Sequence, residues 1–119
     1  MYAQRQVRDS LFDVAGRVAE LLAAGRFEEV AALSGNGGLS ALDVRNAVRE
    51  IPGTLVPLPP DSKSLLDVVQ IGDADSRAWS VIQPLFTAEE GRSDLSLLLT
   101  VVANADGSFI VQVDDIHVL

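Results

Sequence analysis

The sequence predicts an α+β fold in which the helices come first and an antiparallel sheet follows. Apolar residues recur every three or four positions up to about residue 50, which is the period of an amphipathic helix. Beyond that point they alternate with a period close to two, which is typical of strands, and turn-forming stretches separate them by hairpin lengths. With 119 residues, 48% of them apolar and 22% charged, the chain is predicted to form one domain over residues 1–119.

Two helices are predicted before residue 35. The first carries an apolar stripe and ends near Gly25, because glycine readily takes the left-handed conformation that closes a helix. A shorter second helix over residues 27–33 follows and ends before Gly35, so the two are expected to form a helical hairpin. The stripe of the first helix comprises Val7, Leu11, Val14, Val18, Leu21 and Leu22.

A third helix has the clearest start in the chain. Ser40 and Asp43 have the spacing of a capping box, in which each side chain accepts a hydrogen bond from the other residue's backbone N–H. The helix must end near Glu50, because Pro52 disfavours a helical conformation of the residue before it. Its apolar residues are Leu42, Ala47 and Val48.

Five extended segments are predicted after the helices. The first is short and rich in proline, so it belongs at a sheet edge or in a linker. In the last segment the apolar face changes phase at Asp114-Asp115, which predicts a β-bulge. Leu98 and Val102 make the second face of one long strand apolar, which predicts that this face is covered or forms a dimer contact. The segments are residues 54–58, 65–71, 78–87, 95–103 and 108–118.

Composition limits the partners. The net charge is −8, and the sheet half alone carries −7, so nucleic acids are not expected as partners. The acidic surplus indicates either a protein partner with a basic surface or a plain route to solubility, and solubility is the favoured interpretation. The chain has no cysteine, and neither a signal peptide nor a membrane-spanning run is recognisable, so a cytoplasmic location without membrane attachment is expected. No metal or cofactor motif is complete, so none is predicted.

The order of elements resembles that of the NTF2-like (cystatin-like) cone folds. Within it, residues 86–95 and 113–119 resemble signature stretches of a family of uncharacterised bacterial domains with this layout. The resemblance implies three N-terminal helices packed on a curved antiparallel sheet of about four main strands. It implies no functional residue, because the wider fold includes isomerases, dehydratases, ketide cyclases and non-catalytic binding proteins.

His117, the single histidine of the chain, is the main candidate for chemistry. Asp115 precedes it by two residues and shares its strand face if the strand is regular. A four-residue loop closed by Ala103 and Ser108 would also place Asp94 directly opposite His117. A carboxylate there would orient the imidazole and favour its charged form, as a general base requires. A terminal-strand histidine with acidic neighbours is more often a surface or interface group, and this alternative stays open.

Two further residues are candidates for binding a ligand. Arg92 lies in a charged stretch, residues 89–94, predicted to be a loop at the mouth of the cone, where it would bind an anion. The alternative is an exposed arginine paired with a nearby acid. Trp79 is either a core residue or the aromatic wall of a pocket.

These observations support two functions. The first is a non-enzymatic protein-interaction module, of inhibitor or immunity type in one concrete version, which forms a homodimer through the sheet face around Leu98 and Val102. The second is a small-molecule-binding protein or enzyme of the NTF2-like kind, with a pocket between the third helix and the concave sheet. The first is favoured, because the sequence has few catalytic side chains and a strongly acidic sheet half.

Overall fold

A computed structural model describes residues 4–35, 37–73 and 77–118 of the chain. It is an α+β fold of helices followed by an open antiparallel sheet, as predicted, and it is compatible with an NTF2-like cone. The helices are α1 (Gln4–Ala23), α2 (Phe27–Leu33), α3 (Ala41–Arg49) and a 3-10 helix (Pro60–Leu65). The strands are β1 (Leu55–Val56), β2 (Asp67–Ile71), β3 (Ala78–Thr87), β4 (Gly91–Ala103) and β5 (Phe109–Val118).

The helix ends follow the local signals in the sequence. Gly25 has φ +74°, and the N–H groups of Gly25 and Arg26 donate to the carbonyls of Leu22 and Leu21, which closes α1. At the start of α3, Asp43 N–H donates to Ser40 Oγ over 3.1 Å, and Ser40 N–H donates to Asp43 Oδ2 over 3.3 Å. Both predicted helix boundaries are therefore confirmed.

The predicted apolar stripe of α3 is wrong at one position. Leu42 is 64% exposed, whereas Val44 is fully buried and Ala47 and Val48 are partly buried. The short α3 contacts both α2 and β5, and the face that meets both of these elements contains Val44 rather than Leu42. A helix of nine residues has too few turns for its apolar pattern to show which of these two residues is buried.

The strands form one sheet in the order β1-β3-β4-β5, with β2 paired to β3 on the side where β1 also pairs. The predicted strand over residues 65–71 begins later, at Asp67, because the 3-10 helix precedes it. Arg8 holds that helix to α1 by donating from Nη2 to the carbonyls of Lys63 and Leu66 over 2.9 and 2.6 Å. The turn that the sequence predicts between the segments 65–71 and 78–87 lies partly outside the described residues.

One face of the sheet forms the core. Leu97, Leu99 and Val101 alternate along β4, are almost fully buried and belong to the same apolar cluster as the inward residues of the helices. The bulge predicted in β5 is confirmed, because Leu98 and Leu99 stand opposite Asp115 and Val113 and leave Asp114 as the extra residue.

No helix within residues 4–35, 37–73 and 77–118 has the length and apolar character needed to cross a membrane.

Candidate functional site

A pocket of about 370 Å³ opens at the end of the sheet where β4 begins and β5 finishes, below the last turn of α3. Its volume is within the range of ligand sites, which starts near 300 Å³. The apolar residues that line it are Ala47, Ile51, Leu95, Ile116 and Val118. The polar and charged residues that line it are Glu50, Glu90, Ser93, Asp94 and His117, with Pro52 completing the wall.

The β3–β4 turn is held at the pocket by a clasp. Glu89 Oε1 accepts a hydrogen bond from Thr54 N–H over 2.7 Å, and Glu89 Oε2 accepts one from the Thr54 hydroxyl over 3.1 Å. The backbone adds a third bond, from Ala88 N–H to the Thr54 carbonyl over 2.9 Å. Donation from the Thr54 backbone, with smaller contributions from other hydrogen bonds, lowers the pKa of Glu89 below its ordinary value. The clasp joins the turn that carries Glu90 to the segment that follows α3.

A bulge in β4 shapes the pocket wall. Between the pairs Pro84–Ser96 and Phe86–Arg92, three residues of β4 face a single residue of β3, Leu85. Ser93 Oγ donates to the Leu85 carbonyl over 2.8 Å and accepts from Leu95 N–H over 3.2 Å. The sequence reasoning missed this bulge, because the charged residues before Leu95 are typical of a loop.

His117 borders the pocket, but its predicted partner is wrong. Ser96, not Asp94, stands opposite His117 in the β4–β5 register. The loop between the two strands has five residues instead of four, and the bulge at Asp114 adds a second residue, so the register differs by two positions from the predicted one. Because His117 alternates with the core residue Ile116, its side chain projects from the opposite face and meets the pocket at its rim.

Asp115 does lie beside the imidazole. Its Oδ2 is 2.7 Å from His117 Nδ1, while its Oδ1 accepts a hydrogen bond from Ile116 N–H over 2.8 Å. The approach of Oδ2 is too far from the N–H direction to count as a hydrogen bond, and Nδ1 has no other partner among the described residues. The short distance therefore describes an ion-pair contact, available when the ring is protonated, on a side chain that is 43% exposed.

Arg92 and Trp79 lie away from the pocket. The predicted loop over residues 89–94 is mostly strand, because β4 begins at Gly91, and Arg92 is exposed opposite Phe86. Trp79 is 7% exposed and packs in the hydrophobic core. Neither lines the pocket.

The charge of the pocket is acidic. Glu50, Glu90 and Asp94 line it beside His117, and no lysine or arginine in the part of the chain that the structure describes does so. The sequence predicted Asp94 as a site residue but not the two glutamates. The signal for Glu50 was Pro52, which ends α3 beside it, and the signal for Glu90 was the turn before β4. Three carboxylates around an apolar floor favour a cation over the anion that was predicted for Arg92. Within the described part of the chain, no three His, Cys, Asp or Glu side chains are arranged to hold a metal ion.

Comparison with known proteins yields one family. Residues 19–119 match the model of a family described as Domain of unknown function (DUF7668). No curated protein and no solved structure matches the chain.

Proposed function

This chain belongs to the DUF7668 family of domains of unknown function, and we propose that it is a non-enzymatic protein-interaction module for a partner with a basic surface. The observation that carries the proposal is the pocket at the end of the sheet, with its apolar lining, three carboxylates and, among the described residues, no lysine or arginine. An inhibitor or immunity-type protein that covers a basic site on its target is the concrete version that fits a chain of net charge −8.

Lysine and arginine side chains match such a pocket chemically. Each has an apolar stem that packs on residues such as Ile51 and Val118 and a cationic end that reaches carboxylates at the rim. The acidic sheet half would also attract a basic partner over a distance of about 8 Å at physiological salt. The proposal therefore predicts binding that weakens with salt.

The test uses a single basic side chain as probe. N-acetyl-arginine amide is titrated into the ¹⁵N-labelled protein, and saturable shifts are expected at the backbone amides of Ile51, Leu95 and Val118. The neutral norleucine and anionic glutamate analogues are the matched probes. If either shifts these amides at the same concentration as the arginine probe, charge recognition is refuted.

Matched variants assign the binding to the rim. Glu90→Gln and Asp94→Asn should each weaken the arginine probe about 2–5-fold, the effect of an exposed charge pair worth about 0.5–1 kcal/mol. Glu28→Gln, an exposed acid on α2 that does not line the pocket, is the control. Equal affinities in all three variants would place the binding elsewhere.

A second candidate is a small-molecule-binding protein or enzyme with its pocket between α3 and the sheet. Two observations favour it: His117 borders a pocket larger than about 300 Å³, and Asp115 lies 2.7 Å from its imidazole. In this version His117, Asp115 and Asp94 serve the chemistry. The ligand-binding roles predicted for Arg92 and Trp79 are not part of it, because neither residue lines the pocket and Trp79 packs in the core. His117→Ala should then abolish ligand binding or turnover, whereas the interaction module keeps its affinity for the arginine probe.

We also propose the homodimer, with its contact on the sheet face around Leu98 and Val102, and a cytoplasmic location. Val102 is 38% exposed on that face and stands opposite Ile110, another exposed apolar residue, whereas Leu98 is already half-buried. Light scattering at tens of micromolar, with Val102→Asp as the disrupting variant, tests the dimer.

The absence of cysteine supports the reducing compartment that a cytoplasmic location implies.

A further inference from the structure

Two segments supply most of the described residues that line the pocket. One is α3 with the residues after it as far as Pro52, and the other runs from Glu90 into β4 as far as Leu95. The end of β5 completes the lining. The distance between Glu50 on the first segment and Glu90 on the second therefore depends on the contacts that join the two segments.

The clasp between Thr54 and Glu89 joins them just outside the pocket. Thr54 follows the lining residue Pro52 by two positions, and Glu89 directly precedes the lining residue Glu90, but neither Thr54 nor Glu89 lines the pocket itself. Each carboxylate oxygen of Glu89 already accepts a hydrogen bond from Thr54, over 2.7 Å from the backbone N–H and over 3.1 Å from the hydroxyl. Glu89 is therefore placed to hold the two segments together rather than to contact a ligand.

The residues around the clasp leave room for it and support it. Gly53 has φ +124°, a conformation that favours glycine, and a Cβ there would lie 2.9 Å from Glu89 Oε1. Such a Cβ would push the carboxylate away from Thr54. On the other side of the turn, Glu90 N–H donates to the Thr87 hydroxyl over 3.1 Å. The backbone that carries Glu90 is thus held to the segment after α3 through Glu89 and to β3 through Thr87.

We propose that Glu89 and Thr54 are positioning residues, which hold Glu90 at a fixed distance from Glu50 and thereby set the affinity of the pocket for a basic side chain. This role rests on the proposed function and adds to it the contacts that shape the site. Coulomb attraction falls with distance, so a cation between two carboxylates is bound less tightly when one of them moves away. A site that already has its binding geometry also loses less side-chain freedom when the ligand arrives.

Two substitutions of Glu89 separate position from charge. Glu89→Ala removes both acceptors, whereas Glu89→Gln removes the charge but keeps the size of the side chain and an oxygen that accepts from Thr54 N–H. Glu89→Ala should weaken the binding of N-acetyl-arginine amide about 2–5-fold, as expected for the displacement of one rim carboxylate, and Glu89→Gln should stay within about 1.5-fold of wild type. Glu28→Ala, on the exposed side of α2, is the control and should leave the affinity unchanged. An equal loss in Glu89→Ala and Glu89→Gln would show that Glu89 acts by its charge alone and would overturn the proposal.

Two comparisons test whether the clasp acts through its neighbours. Thr54→Val removes the hydroxyl and should weaken the binding of the arginine probe, whereas Thr54→Ser keeps the hydroxyl and should not; equal affinities in these two variants would overturn the role of Thr54. In the double variant Glu89→Ala/Glu90→Gln, the loss of affinity should be smaller than the product of the two single losses, because residues that act through each other are not additive. If the two losses multiply, Glu89 does not act through Glu90 and the proposal fails.

The amide resonances of the ligand-free protein give a readout that needs no probe. In Glu89→Ala the amides of Ile51 and Leu95 should shift from their wild-type positions while the circular dichroism spectrum stays unchanged, and in Glu89→Gln they should not shift. If both amides coincide in Glu89→Ala and wild type, the clasp does not hold the pocket walls, and the proposal is overturned even if the probe binds. A wild-type chain that does not bind the arginine probe would instead refute the proposed function, and the ligand-free resonances would then decide by themselves whether the clasp holds the two segments.

Discussion

Ser34→Ala removes the hydrogen bond that joins the segment after α2 to β5. The Ser34 hydroxyl is the acceptor for Val113 N–H at 2.7 Å, and Val113 is fully buried. A buried N–H that loses its acceptor costs about 1–3 kcal/mol, more than the net value of an ordinary hydrogen bond. Because unfolding entropy is about 2.1 cal/mol/K per residue, a chain of 119 residues loses about 4 °C of Tm for each kcal/mol. Ser34→Ala should therefore lower Tm by about 4–12 °C.

Urea denaturation and calorimetry measure this loss, and hydrogen exchange at the Val113 amide localises it. Ser64→Ala is the control, because the Ser64 hydroxyl too has a backbone partner, donating to the Asp61 carbonyl, but lies on an exposed residue. Its effect should stay within about 0.5 kcal/mol. If Ser34→Ala costs no more than Ser64→Ala, Val113 N–H finds water or another acceptor, and the reasoning that Ser34 alone satisfies this buried amide is refuted.

Three further variants test individual contacts. The hydrogen bonds from Thr54 lower the pKa of Glu89 from 4.5, so the folded chain holds this proton less tightly than the unfolded chain. The stabilisation of wild type relative to Glu89→Gln should therefore be present above pH 4.5 and disappear as the pH falls below it. A Tm difference that does not change with pH would contradict this. Gly16→Ala should raise the free energy of unfolding, measured by urea denaturation, by about 0.5–1 kcal/mol. Gly16 lies inside α1, and a Cβ at this position meets no atom within 4 Å. A lower free energy of unfolding would refute the reasoning. Gln83→Met should be at least as stable as wild type, because it removes the buried Oε1, which has no partner among the described residues, and loses two bonds donated by Nε2, to the Pro84 carbonyl over 3.0 Å and to the Ser62 carbonyl over 3.5 Å. Destabilisation above about 1 kcal/mol in urea denaturation would contradict this.

Local signals in the sequence predicted most of the fold. Gly25 and the Ser40–Asp43 pair predicted where helices end and begin, because each acts through hydrogen bonds within a few residues of itself. The change of apolar phase at Asp114-Asp115 predicted the β5 bulge for a similar reason, since alternation records which face each side chain occupies.

The candidate site was predicted only in part. His117 and Asp115 are two residues apart on one strand, so their proximity could be predicted, whereas Asp94 depended on the length of a distant loop. One additional loop residue and one bulged residue were enough to replace Asp94 by Ser96 as the neighbour of His117. An apolar pattern shows which face a residue occupies but not which residue of the next strand stands opposite it.

The element order, the helix ends and the β5 bulge could be predicted from the sequence, because they depend on residues close together in the chain. The strand register, the 3-10 helix held by Arg8 and the position of three carboxylates around one pocket depend on tertiary packing. These carboxylates are Glu50, Glu90 and Asp94. Those carboxylates come from the end of α3, a turn and a bulge, up to 44 positions apart in the sequence. No local preference brings them together, because their distances depend on how the helices and the sheet pack against each other.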